Sequence, residues 1–149
     1  EPALNSLKMV KDLQPVDISK NERIQIWLEA CRIIKNHFGD EKFIRGNCDQ
    51  APFSLASMMR SSADWIMDLM MEDDLVFNLL DYCTDASSQF IRLMADTGVD
   101  MVSNGDSPAG PDMISPEMYE TFALPYAKST PYFDAAIHKL PTSFLDRLQ

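Results

Sequence analysis

Long apolar runs are missing from this 149-residue chain. No window reaches the roughly 18 apolar residues that a membrane span needs, and no signal-peptide pattern is present. Positive charge is scarce. Thirteen Lys and Arg stand against 23 Asp and Glu, for a net charge of −10. Such a surface repels nucleic-acid phosphates and anionic membranes, so neither is an expected partner. A small anionic ligand is still allowed, because a few amides or one Arg can receive it locally. Cysteine is sparse too: Cys31, Cys48 and Cys83, with no CxxC and no His/Cys pair at metal spacing. No metal site is expected within the chain, and reduced thiols fit a cytoplasmic protein. Cys31 and Cys83 fall on apolar helix faces and are expected in the core. Cys48 is either a reactive thiol or a buried one. His37, one of two histidines, is expected to sit exposed in the last turn of a helix.

What is present is ample apolar content, 46% of the residues, arranged in alternating elements. Ile24, Trp27, Leu28, Cys31, Ile34 and Phe38 recur at helical spacing and predict one buried stripe, stopped by Gly39. Phe43 to Gly46 reads as a short strand. Met58, Met59, Met67, Met70 and Met71 crowd the next helical stretch, where they are expected mainly to fill core gaps. Glu72, Asp73 and Asp74 form an acidic start to a long helix carrying Val76, Leu79, Leu80, Cys83, Ala86, Phe90 and Met94 on one face. Gly98 ends it, and Val99 to Ser103 reads as a second strand. Strand, helices, strand, helix is the order of a parallel α/β architecture.

Both strands run into polar loops. Asn47, Asp49 and Gln50 follow the first, before Pro52 opens a helix. Asp106 and Ser107 follow the second, before Ser115 and Pro116, a natural N-cap and N1 pair, open another. In parallel α/β proteins ligands gather at such strand ends. The first helix N-terminus also offers amides for a carboxylate or phosphate. The competing reading is an ordinary βα loop closed by turn residues and a cap. Arg60, near the end of that first helix, is placed either to meet a ligand carboxylate or to pair with an acid of the chain itself.

GDSPAG followed by ISPEMYETFALPY, from Gly105 to Tyr126, resembles the uroporphyrinogen decarboxylase superfamily. So does IRGNCDQAPFSLASMMR, from Ile44 to Arg60. The resemblance spans roughly residues 7–128, and residues 129–149 diverge. It implies a (β/α)8 barrel, of which 149 residues form one partial domain of three to four βα units, since a whole barrel takes about 250. The chain is therefore expected to belong to a longer protein, and to form a homo-oligomer.

The superfamily holds decarboxylases of tetrapyrrole synthesis and methyltransferases that act on methylated corrinoids. The decarboxylases' active-site serine matches Ser107. Their tyrosine in the helix after the first loop falls at Met58, which has no phenol to donate. Their Arg-rich loop has no counterpart here, nor does the acidic residue that holds the pyrrole nitrogens. The balance favours methyl transfer between a corrinoid and a thiol, with uroporphyrinogen decarboxylation and a non-catalytic tetrapyrrole- or protein-binding remnant as alternatives. The expected partner is a tetrapyrrole, a corrinoid or a corrinoid protein. The resemblance implies catalytic positions at Asp106 and Ser107 and ligand contacts at Asn47, Asp49, Gln50 and Arg60. The methyltransferases' zinc ligands, a His-x-Cys pair and a later Cys, have no match after Tyr126. Zinc and a corrinoid are thus expected of a full-length protein, with no cofactor held in this chain, which alone is expected to be inactive.

Overall fold

A computed structural model describes residues 2–71 and 74–131. The predicted helix of Phe133 to Leu140 and its His138 lie outside the described residues, as do Glu72 and Asp73. After a 3₁₀ turn, Leu7–Asp12, come α1 (Glu22–Phe38), β1 (Arg45–Asn47), α2 (Pro52–Arg60), α3 (Ser62–Met70), α4 (Leu75–Ala95) and β2 (Met101–Ser103). A second 3₁₀ turn, Ser107–Ala109, leads to α5 (Pro116–Met118), a π-helical stretch, Tyr119–Ala123, and α6 (Leu124–Ser129).

The two strands pair in parallel, with Arg45 opposite Met101, Gly46 opposite Val102 and Asn47 opposite Ser103. This matches the expectation of neighbouring parallel strands. A Cβ on Gly46 would stand 2.6 Å from Met94 of α4, so glycine lets that helix lie directly on the strand. Local chemistry sets the element ends. Asn21 caps α1 by accepting from the Ile24 N–H, and Gly39 closes it. Ser115 caps α5 by accepting from the Met118 N–H, with Pro116 following as anticipated. Ser61 turns the chain sharply between α2 and α3 at φ 79°. Its hydroxyl caps α3 at the Asp64 N–H.

The main core lies where α2 and α3 meet α4, around Phe53, Trp65, Leu69, Val76, Leu79 and Leu80. Each such side chain contributes about 1.5–3 kcal/mol by leaving water. A second cluster, Leu28, Cys48, Ile91, Met94 and Val99, fills the space between the sheet, α1 and α4. The α4 stripe is buried largely as its spacing predicts. The α1 stripe is not. Only Leu28 is buried, while Trp27 is 50% and Ile34 43% exposed. Two three-residue strands offer too little surface to cover a face that wide. The methionines also depart from expectation. Met58, Met67, Met70 and Met71 are exposed, and only Met59 packs against the core. Among the described residues no helix is long and apolar enough to cross a membrane.

Candidate functional site

The strand ends bring the two polar loops together. The Cys48 N–H donates to the Ser103 carbonyl at 2.8 Å, and the Ala51 N–H to the Gly105 carbonyl at 2.9 Å. Both loops therefore open on the same edge of the sheet, as the parallel reading requires. The contact between them is close. A Cβ on Gly105 would stand 2.9 Å from Asp49 Oδ1, so that carboxylate lies directly over the seam.

Polar side chains order the first loop. Asn47 Nδ2 donates to Asp49 Oδ2 at 3.1 Å, and Asn47 Oδ1 accepts from the Asp49 N–H and from Ser103 Oγ, each at 3.3 Å. Asn47 is thus a brace between the strands, and Asp49 stands exposed above it. Gln50 is half-buried. Its carbonyl accepts from Ser87 Oγ at 2.9 Å, and it lines an apolar cavity of about 300 Å³ between α2, α4 and the segment before α1.

Asp106 crosses from the second loop to the first helix. Its Oδ1 accepts from the Ser54 N–H at 2.8 Å and from Ser54 Oγ at 2.6 Å. It therefore caps the N-terminal turn of α2, where Ala51 supplies no side-chain cap. Burial pushes the Asp106 carboxyl above its ordinary range, and the two bonds from Ser54 pull it partly back. Ser107 is exposed at the start of the 3₁₀ turn.

Arg60 does not join this group. It ends α2, about 13 Å along the helix axis from the capped end. Its Nε and Nη2 hold Asp68 at 2.7 and 3.4 Å, and Nη1 donates to the Leu4 carbonyl at 2.6 Å. At 5% exposure it is a buried structural pair. Of the two placements open to Arg60, a ligand carboxylate or an acid of the chain, the structure shows the pair with Asp68, which the turn at Ser61 brings back to the guanidinium. Cys48 is buried, and burial pushes its thiol up to about 12, as it does for Cys83. Neither fits a thiolate ligand or nucleophile. Among the described residues no three His, Cys, Asp or Glu side chains converge as metal ligands.

Sequence reading missed two residues. Ser54 sits inside the first turn of α2 and looks like a simple helix residue; its signal is a small hydroxyl three positions after an uncapped Ala. Asn104 directly follows the apolar strand, and its Oδ1 is buried without a hydrogen-bond partner.

Parallel strands joined through helices, with facing polar loops at their C-terminal ends, define an α/β protein, a class in which ligands gather at that edge. The chain belongs to the uroporphyrinogen decarboxylase family, which matches residues 1–140. It is 35% identical over 124 residues to methylcobamide:CoM methyltransferase MtbA of Methanosarcina mazei, covering 80% of this chain and 36% of the relative. Uroporphyrinogen decarboxylase of Parasynechococcus marenigrum is 30% identical over 131 residues, covering 84% of this chain and 36% of the relative. A solved methyltransferase from Methanosarcina mazei superimposes with a TM-score of 0.70 at 29% identity, covering 78% of this chain and 36% of that one. The chain thus spans little more than a third of these relatives.

Proposed function

We propose that this chain supplies three to four βα units of a (β/α)8 barrel in an enzyme that transfers a methyl group between a methylated corrinoid and a thiol. The observation that carries this reading is the 35% identity with a methylcobamide:CoM methyltransferase over 80% of the chain. Met58 supports it: the side chain is exposed and has no phenol where the decarboxylases place a tyrosine. On this reading Asp106 and Ser107 face the reacting centre, with Asn47, Asp49 and Gln50 across the seam. Arg60 holds α2 and α3 together and takes no part in binding. Zinc belongs to the complete protein. Buried Cys48 and Cys83 do not fit it, so no part of the chemistry is assigned to zinc within the described residues.

The alternative, uroporphyrinogen decarboxylation, draws on Ser107, which matches the decarboxylases' serine, and on the 30% identity with such an enzyme. Incubating the complete protein with methylcobalamin and coenzyme M separates the two. Loss of the methyl–cobalt absorbance with formation of the methyl thioether is expected. Carbon dioxide release from uroporphyrinogen, without demethylation of the corrinoid, would sink the methyl-transfer reading.

A further inference from the structure

Asp106 is held more firmly than a helix cap requires. A cap needs one acceptor for one free amide of the first turn. Asp106 Oδ1 takes that amide, the Ser54 N–H at 2.8 Å, and also the Ser54 hydroxyl at 2.6 Å. The backbone around it is tied on both sides. The Gly105 carbonyl accepts from the Ala51 N–H at 2.9 Å, and the Asp106 carbonyl accepts from the Ala109 N–H at 3.0 Å.

The two oxygens of this carboxylate are used unequally. Oδ2 makes no hydrogen bond among the described residues and is not sealed from solvent. A carboxylate that only closed the turn would gain by placing both oxygens on it. The anchor itself is rigid. Ser54 is 0% exposed, in a turn whose Pro52 and Phe53 are buried as well. Its hydroxyl therefore has no route to a ligand except through Asp106.

We propose that Ser54 is a positioning residue: its hydroxyl fixes Asp106 by one oxygen, so that the other is presented to a hydrogen-bond donor of the substrate in one place. The proposal rests on the methyl-transfer reading, in which Asp106 faces the reacting centre, and adds to it a residue that touches no substrate. One bond from the amide leaves the carboxylate free to swing. The second bond, from the side chain, removes that freedom. Placement of this kind matters, because a misplacement of about 1 Å can cost about a hundredfold in rate.

The test is a double-mutant cycle on the complete protein, read as kcat/KM for methyl transfer from methylcobalamin to coenzyme M. Ser54→Ala keeps the amide bond and loses the hydroxyl. It is expected to lower kcat/KM about tenfold. In an Asp106→Ala background the same change should cost about twofold or less, since nothing is left to position. Ser57→Ala removes another buried hydroxyl of α2, bonded to Ser62 Oγ at 3.2 Å. It should leave kcat/KM within about twofold of the parent. Should Ser54→Ala fail to fold, Ser54→Cys, whose thiol is a weak donor, takes its place in the cycle. Equal losses in the two backgrounds, no loss at all, or an equal loss in Ser57→Ala overturn the proposal while the methyl-transfer reading stands. A parent protein that transfers no methyl group overturns that reading, and this inference with it.

Discussion

Lys35 Nζ and Asp100 Oδ1 meet at 2.7 Å at the end of the sheet opposite the polar loops. The other oxygen of Asp100 accepts from the Ile44 N–H at 2.8 Å, and Lys35 also donates to the Gly39 carbonyl at 3.0 Å. One carboxylate thus ties the end of α1 and the entry to β1 onto the entry to β2. Each strand is only three residues long, so this tie and the Asp106–Ser54 tie fix the pair from both ends.

Asp100→Ala is expected to lower unfolding free energy by about 1.5–3 kcal/mol, the range for hydrogen bonds to charged groups, measured in urea. The acid limb should change as well. Burial pushes the Asp100 carboxyl up, but the Ile44 N–H and Lys35 outweigh it and hold it below its ordinary value. A lowered folded value means that the unfolded chain binds the proton more readily. The stabilisation is complete above the unfolded value and disappears as pH falls through the folded one. The variant should lose that part of the acid-induced destabilisation.

Arg60 and Asp68 form a buried pair, so removing one partner strands the other. Arg60→Ala or Asp68→Ala should cost about 3–5 kcal/mol, and Arg60→Met with Asp68→Leu together should cost much less than the two singles summed. On the methyl-transfer reading, corrinoid affinity of the complete protein carrying either single substitution should stay at the parent level. A specific loss of affinity in a stable Arg60→Lys protein would return Arg60 to the binding site.

Asp106 carries the opposite sign from Asp100. Its folded value is raised. Stability from this group is therefore full below the unfolded value and declines as pH rises through the folded one. Asp106→Asn keeps an acceptor for Ser54 and should remove that decline, leaving melting temperature at pH 7 unchanged or higher. Asp106→Ala loses the cap, at about 0.5–2 kcal/mol. If Asp106 and Ser107 also serve the reaction, Asp106→Asn and Ser107→Ala in the complete protein each cut turnover at least about tenfold with melting temperature held. Full activity in both would make the loop purely structural.

The thiols should divide by burial. Cys48 and Cys83 are 1% and 0% exposed, whereas Cys31 is half-buried. A thiol reagent at pH 8 should label Cys31 first in the native protein and reach the other two only in denaturant. Rapid native labelling of Cys48 would contradict its placement beneath the first loop.

The elements that sequence disclosed were those fixed by neighbours in the chain. Ser115 and Pro116 start a helix by their own chemistry, Gly39 ends one, and two apolar strands before polar loops imply a shared edge. Asp49 and Asp106 were legible as strand-end residues for that reason. Their partners were not. Ser54 lies 52 positions from Asp106, and nothing local to either announces the bond. For Arg60 the sequence left a ligand and an acid of the chain open, because the reversal at Ser61 that brings Asp68 to it, at a non-glycine residue with positive φ, leaves no composition signal. The stripe on α1 failed for another reason. Periodicity tells which residues share a face, but it says nothing about whether the rest of the fold extends far enough to cover that face.

The bare face of α1 has an optical consequence. The chain holds two tryptophans. Trp65 is fully buried, its ring edge-on to Phe53 at 5.6 Å, while Trp27 stands half in water on α1. Their emissions answer different questions. Trp65 shifts to the red when the core melts. Trp27 shifts to the blue when anything settles onto α1, be it a neighbouring barrel helix or another copy. With single-tryptophan variants, folding and docking become two separate colours in one cuvette.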